Sequence, residues 1–180
     1  MKTYKTEGIV IRRRNLGEAD KIVTIFTRKF GKLQVKAPGV RKITSRRSPH
    51  IELLNHVSLS LYIGRNLPII TEAESIDTFS DIKVDLKKVA AAYHLCELID
   101  NLCPENQENY EVFMLLKDTF SKLTNGVDKK ELVRGFELNL LSMLGYIKSI
   151  PVSSSFETIP FIEELLEKKL KARQIAPFLS

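Results

Sequence analysis

The hydrophobic pattern of this chain changes period once, near residue 80, and that change constrains the fold more than any other feature. Before it, apolar residues recur at every second position; after it, at every third or fourth, and glycine nearly disappears. Strands come first and helices second, which predicts an α+β protein and excludes the alternating βαβ order of a parallel sheet.

Five strands are predicted between Thr6 and about Phe79. Thr6 to Arg14 is β-branched and ends at Asn15-Leu16-Gly17; Lys21 to Thr27 ends at Lys29-Phe30-Gly31; Lys32 to Ala37 stops at Pro38-Gly39. A fourth strand starts at Ile51, with Leu53, Val57, Leu59, Leu61 and Ile63 on one face, interrupted by Asn55. Glu52, His56, Ser58 and Ser60 fall mostly on the other face. Gly64-Arg65-Asn66 turns the chain into a fifth, Leu67 to Ile76. Five short strands are too few for a seven-stranded sandwich, and closure removes exposed edges, so residues 1–80 are expected to form a five-stranded OB-like barrel.

Residues 81–180 are expected to form a helical bundle. Val84 to Leu102 is apolar on most sides, through Val89, Ala90, Tyr93, Leu95, Leu98 and Ile99, as a central buried helix is. Val112, Phe113, Leu116, Phe120 and Leu123 mark a second helix, stopped at Asn125-Gly126. Asp128 to Glu131 resembles a capping box opening a third, with Gly145 closing it. Ile150 to Ser155 reads as a loop and Phe161 to Arg173 as a last helix, acids first and Lys168, Lys169, Lys171 and Arg173 last. Ser80-Asp81 offers no flexible linker, so the halves are expected to fold as nearly one cooperative unit.

A chain of 180 residues with 43% apolar content can bury a core. No apolar run approaches the roughly 18 residues of a membrane span, and the start does not read as a signal peptide. Cys96 and Cys103 lie seven apart on a predicted helix, about 10 Å along its axis and too far for a disulfide. A reducing, cytoplasmic setting is therefore expected.

The formal charge of +6 is unevenly placed: residues 1–50 hold 14 Lys and Arg against 3 Asp and Glu, whereas residues 81–180 hold 13 against 15. A polyanion partner is expected for the first part, nucleic acid before an anionic membrane. The cations concentrate at Arg12, Arg13 and Arg14 and at Arg41, Lys42, Arg46 and Arg47, both groups at strand ends. In a small barrel such ends can share a rim and follow a phosphate backbone without reading bases, although three consecutive arginines cannot share one strand face. Phe26, Phe30 and Tyr62 are candidate stacking platforms, but aromatics at strand spacing are more often core.

Catalytic supply is thin. His50, His56 and His94 are scattered, no zinc spacing or phosphate-binding Gly loop occurs, and Cys96 and Cys103 suit core packing. Glu18 and Asp20 flank a turn, where turn chemistry explains them; a hydrolase built on either would need metal-dependent turnover. No catalytic residue, cofactor or metal is expected.

Gly8-Ile9-Val10-Ile11-Arg12-Arg13-Arg14, then Gly17-Glu18-Ala19-Asp20-Lys21-Ile22-Val23-Thr24-Ile25-Phe26-Thr27 and Gly31-Lys32-Leu33, resemble the N-terminal run of the bacterial recombination mediator RecO family. Ala37-Pro38-Gly39-Val40-Arg41-Lys42 with Ser45-Arg46 resembles its basic loop. Arg134-Gly135-Phe136-Glu137-Leu138 with Leu144-Gly145-Tyr146 resembles its third-helix motif. The resemblance implies a nucleoid-associated DNA-repair accessory protein: an OB-fold that binds single- and double-stranded DNA, a helical domain, annealing of complementary strands, and partnership with RecR and single-stranded-DNA-binding protein to load RecA. Pro38 stands where the family commonly has Lys or Arg, and Asn139 where Arg is common. Many relatives carry a four-cysteine zinc module after Tyr146, where this chain has a Ser-rich loop.

Arg12, Arg14, Lys36, Arg41, Lys42, Arg46 and Arg47 are thus expected to meet phosphate. Arg134, beside Phe136, is expected to meet the acidic tail of single-stranded-DNA-binding protein, although it could equally be solvated or paired with Glu131 or Glu137. The alternative function is a protein-interaction adaptor whose basic barrel docks an acidic partner, with DNA binding incidental.

Overall fold

The computed structural model describes residues 2–151 and 156–171. The Ser-rich stretch 152–155 and Arg173 lie outside them. The chain divides into two units. The first comprises Met1–Phe79 with Pro104–Phe113, the second Ser80–Cys103 with the residues from Met114 onward. A division at residue 80 therefore misses one excursion, the ten-residue return of Pro104–Phe113 to the first unit.

The first unit is built from β1 (Thr3–Leu16), β2 (Asp20–Thr27), β3 (Gly31–Ala37), β4 (His56–Tyr62) and β5 (Ile69–Asp77). They close in the order β1-β2-β3-β5-β4, all neighbours antiparallel except β3 and β5, which meet in parallel at Lys36 and Ile69. This is the connectivity of an OB-fold, so the expected α+β class and barrel hold. Val10, Val23, Ile25, Leu33, Val35, Val57, Leu59, Leu61 and Ile70 fill the interior, and alternation on every strand puts them there.

The fourth strand starts five residues later than its pattern suggests. Residues 51–55 form turns, with Leu54 at a φ of 72°. The Asn55 side chain donates to the carbonyls of Pro49 and His50, while the backbones of Leu54 and Asn55 exchange hydrogen bonds with Val10. His56, on the face of β4 opposite Val57, Leu59 and Leu61, is buried: its ring meets Phe113 edge-on at 5.9 Å, and Nε2 lies 3.5 Å from the Glu7 carboxylate.

Phe113 ends the returning segment. Nearer its start, Glu105 bridges to Lys32 and accepts from Gln34 at 2.5 Å, and Tyr110 lies under the Arg28 guanidinium, 5.2 Å from the ring centre. Gly31 makes the approach possible. Its φ is +64°, and a Cβ there would stand 1.8 Å from the Gln107 carbonyl oxygen.

The second unit holds α1 (Ser80–Lys83), α2 (Leu86–Leu102), most of α3 (Tyr110–Thr124), α4 (Lys129–Met143) and α5 (Thr158–Leu166). The helix expected to open at Val84 opens instead at Leu86. Asp85 caps it by accepting the Lys87 and Lys88 amides, which leaves Val84 exposed outside. Ala90, Leu95, Leu98 and Ile99 are buried as expected, but Tyr93 is exposed. Asp128 caps α4 in the same way, and Gly145 follows its end at a φ of +80°.

The last helix runs earlier than its charge gradient suggests, stopping where Glu167 turns left-handed. Lys168 and the Lys171 amide then bind Asn101 and Glu97 of α2 instead of extending the helix. At the centre of this unit Glu137 of α4 accepts from Thr158 of α5 and lies 2.6 Å from His94 Nε2 of α2, all three buried. One carboxylate thereby joins three helices, because a buried charge is retained only where its oxygens are answered. No described helix is long and apolar enough to cross a membrane.

Candidate nucleic-acid interface

The expected phosphate ligands arise on elements that end near one another. Pairing of β1 with β2 and of β2 with β3 aligns Arg14, Ile22 and Lys36 in one cross-strand row, with Arg12, Thr24 and Gln34 two residues further along on the same face. Residues two strands apart in such a row are separated by about 10 Å. Arg14 is exposed at the end of β1, and Lys36 is half-buried at the end of β3.

The loop from β3 to β4 is fastened to the β1–β2 turn beside that row. Asp20 accepts the Gly39 amide at 2.8 Å and pairs with Lys36 Nζ at 3.0 Å. The Arg41 amide donates to the Ala19 carbonyl at 2.9 Å, and its guanidinium to the Gly17 carbonyl at 2.8 Å. Behind the loop, Arg47 donates to the carbonyls of Ile70 and Pro38, at 2.5 and 2.6 Å. The result is a cationic rim with Arg14, Lys36, Arg41 and Lys42 at one end of the β1–β2–β3 ribbon and Arg12 two residues inward along β1.

Six of the seven cations divide by what holds them. Arg14, Lys42 and Arg46 are exposed and form no ion pair with a described residue. Lys36 shares its charge with Asp20, and Arg41 presents a guanidinium partly engaged by a carbonyl. Arg47 is occupied by two carbonyls and holds the loop in place. Asp20 is an anchor for this loop: the Gly39 amide first and Lys36 next hold its carboxyl below the usual range.

One rim residue escaped the sequence reading. Lys21 lies on the rim beside Arg13, Arg41 and Glu52, and burial, then the Arg13 charge, hold its ammonium below the usual lysine range. The signal was its place at the start of β2, opposite Asn15 at the end of an arginine-rich strand. Arg13 is paired with Glu52 at 2.8 Å. Of the aromatic candidates Phe26 is core, and Phe30 packs edge-on against Tyr4 in the β2–β3 turn, the other end of the ribbon.

In the second unit Arg134 is half-buried on α4 and makes no ion pair with a described residue. Glu137, one of its two candidate partners, is committed to His94 and Thr158.

Two family models match the chain: Recombination protein O N terminal over residues 1–79, and Recombination protein O C terminal over residues 83–149. The DNA repair protein RecO of Roseiflexus sp. (strain RS-1) is 44% identical over 145 residues, which are 81% of this chain and 51% of that protein. Its namesake from Symbiobacterium thermophilum is 38% identical over 151 residues, 83% of this chain and 60% of that one. That from Pelotomaculum thermopropionicum is 36% identical over 146 residues, 81% and 57% respectively. The chain thus spans between about half and three fifths of the length of these curated relatives.

Proposed function

The chain belongs to the recombination protein O family, and from that premise we propose that it is a DNA-binding mediator of recombinational repair. It would hold single- and double-stranded DNA on the cationic rim of its barrel and anneal complementary strands. The observation that carries this reading is the fastening of the β3–β4 loop onto the β1–β2 turn, which gathers Arg14, Lys36, Arg41 and Lys42 on one rim. Two DNA strands repel each other as polyanions. A surface that replaces their counterions lowers that repulsion without reading sequence, and base pairing supplies the rest. No covalent bond changes, so the work needs no catalytic group.

Family membership extends the proposal to partners: RecR, the acidic tail of single-stranded-DNA-binding protein, and through them RecA. Arg134 supports the tail site, since a guanidinium beside apolar side chains suits a terminal carboxylate by charge-assisted hydrogen bonds.

Anisotropy of a labelled oligonucleotide across a salt series tests the DNA reading. With about four or five phosphates neutralised on a single strand, log affinity should fall against log salt with a slope near −3. Reversing Arg14, Lys42 and Arg46 to Glu should flatten that slope to about −1, since each lost contact removes about 0.7. A salt-independent affinity, or an unchanged slope in the triple variant, would overturn the assignment. Binding only to an acidic protein, and not to DNA, would favour the adaptor.

A further inference from the structure

Ile43 sits at the tip of the cationic loop and is buried by nothing: its relative exposure is 105%, the highest of any large apolar residue described. It occupies a turn closed by the Ser45 amide donating to the Lys42 carbonyl at 2.9 Å, which itself follows a turn closed by Lys42 and Gly39 at 3.2 Å. The base beneath is pinned at Asp20, Ala19, Gly17, Pro38 and Ile70 by the bonds of Gly39, Arg41 and Arg47. The side chain is therefore held out from a fastened base.

Three properties of the position combine. A β-branched side chain has little χ1 freedom, so it keeps its direction and loses little entropy when it is gripped. Arg41 and Lys42 precede it and Arg46 follows, all exposed, so a phosphate can be held on either side of the tip. An apolar prong between cations is the arrangement with which proteins enter a base step: the cations hold the backbone while the prong replaces one base's stacking surface.

We propose that Ile43 is a wedge that enters a stacked base step of DNA held on the rim and partly unstacks it. The proposal rests on the DNA-binding reading of the same rim. Unstacking at the tip would present a base to an incoming complementary strand, which ties the wedge to annealing.

The test uses the full chain, oligonucleotides carrying 2-aminopurine as single strand and as duplex, and vesicles containing phosphatidylglycerol. The wild-type protein should raise 2-aminopurine emission on binding, and the arm in which it does so identifies the strand form entered. Ile43→Ser should melt like the wild type and keep its salt slope. It should bind about tenfold more weakly, the worth of one aliphatic side chain, and leave the emission unchanged. The chain has no tryptophan, so Ile43→Trp adds a single reporter whose emission should be quenched by stacked bases. An equal emission rise from Ile43→Ser overturns the wedge while leaving DNA binding intact. Ile43→Trp emission that shifts blue on vesicles and ignores DNA overturns it in favour of a membrane-touching loop. A wild-type protein that binds no oligonucleotide removes the DNA reading and the wedge together.

Discussion

Arginines that look alike in a charge count differ in what they do here. Arg47 ties the start of its loop to β5 through two carbonyls, whereas Arg14, Lys42 and Arg46 stand in water. Arg47→Ala should lower stability by about 2–3 kcal/mol in urea unfolding, because it leaves carbonyls without a charge-assisted donor. Lys42→Ala should change stability by no more than about 0.5 kcal/mol. Charge and spacing brought all of these residues into one group, but hydrogen bonding to the carbonyls of Pro38, at the start of the loop, and of Ile70, which arrives from β5, leaves no local trace. Asp20 carries a matching pH signature. Its folded carboxyl lies below the unfolded range, so its contribution is present at neutral pH and is lost only as pH falls through the depressed value. The Gly39 amide resonance should titrate at that acidic pH and stay flat in Asp20→Asn; a shift centred at neutral pH would contradict the anchor.

At the level of elements, four of the five strands and the capped helix α4 were readable because alternation and capping are local, although the Asp85 cap of α2 was missed. Asp128 and Gly145 mark α4 at both ends, as the pattern predicts. Errors arose where a distant segment decides. Residues 51–55 alternate like a strand, yet Asn55 is held by the carbonyls of Pro49 and His50. His56 is buried because Phe113, far along the chain, covers it. The acid-to-base gradient of α5 suggests a longer helix than forms, since its lysines find partners on α2. Gly31 marks the close approach of the returning segment. Gly31→Ala combines a left-handed backbone with a clash against Gln107 and should cost about 3 kcal/mol in chemical unfolding. Amide exchange at Asn106, which donates to the Lys32 carbonyl, should rise with it; unchanged protection there would show that the approach is not needed.

For the whole molecule, the barrel unit is discontinuous: Pro104–Phe113 belongs to it but is separated from the strands by α1 and α2. The OB-like fold and the family were within reach of the sequence, whereas this return was not, since nothing in a polar stretch after a helix says where it docks. A fragment of residues 1–80 lacks the Glu105, Tyr110 and Phe113 contacts and leaves Gln34, Arg28 and His56 uncovered. It should give a poorly dispersed NMR spectrum or melt well below the barrel in the full chain, and a well-dispersed, equally stable fragment would refute the claim. The same discontinuity sets a timetable during synthesis. At about 5–20 residues per second, a ribosome that has finished β5 takes some seconds more to deliver the last piece of the barrel. Through that interval the nascent strands lack their last partner while α1 and α2 are already being made, so the barrel can close fully only after part of the other unit has been synthesised.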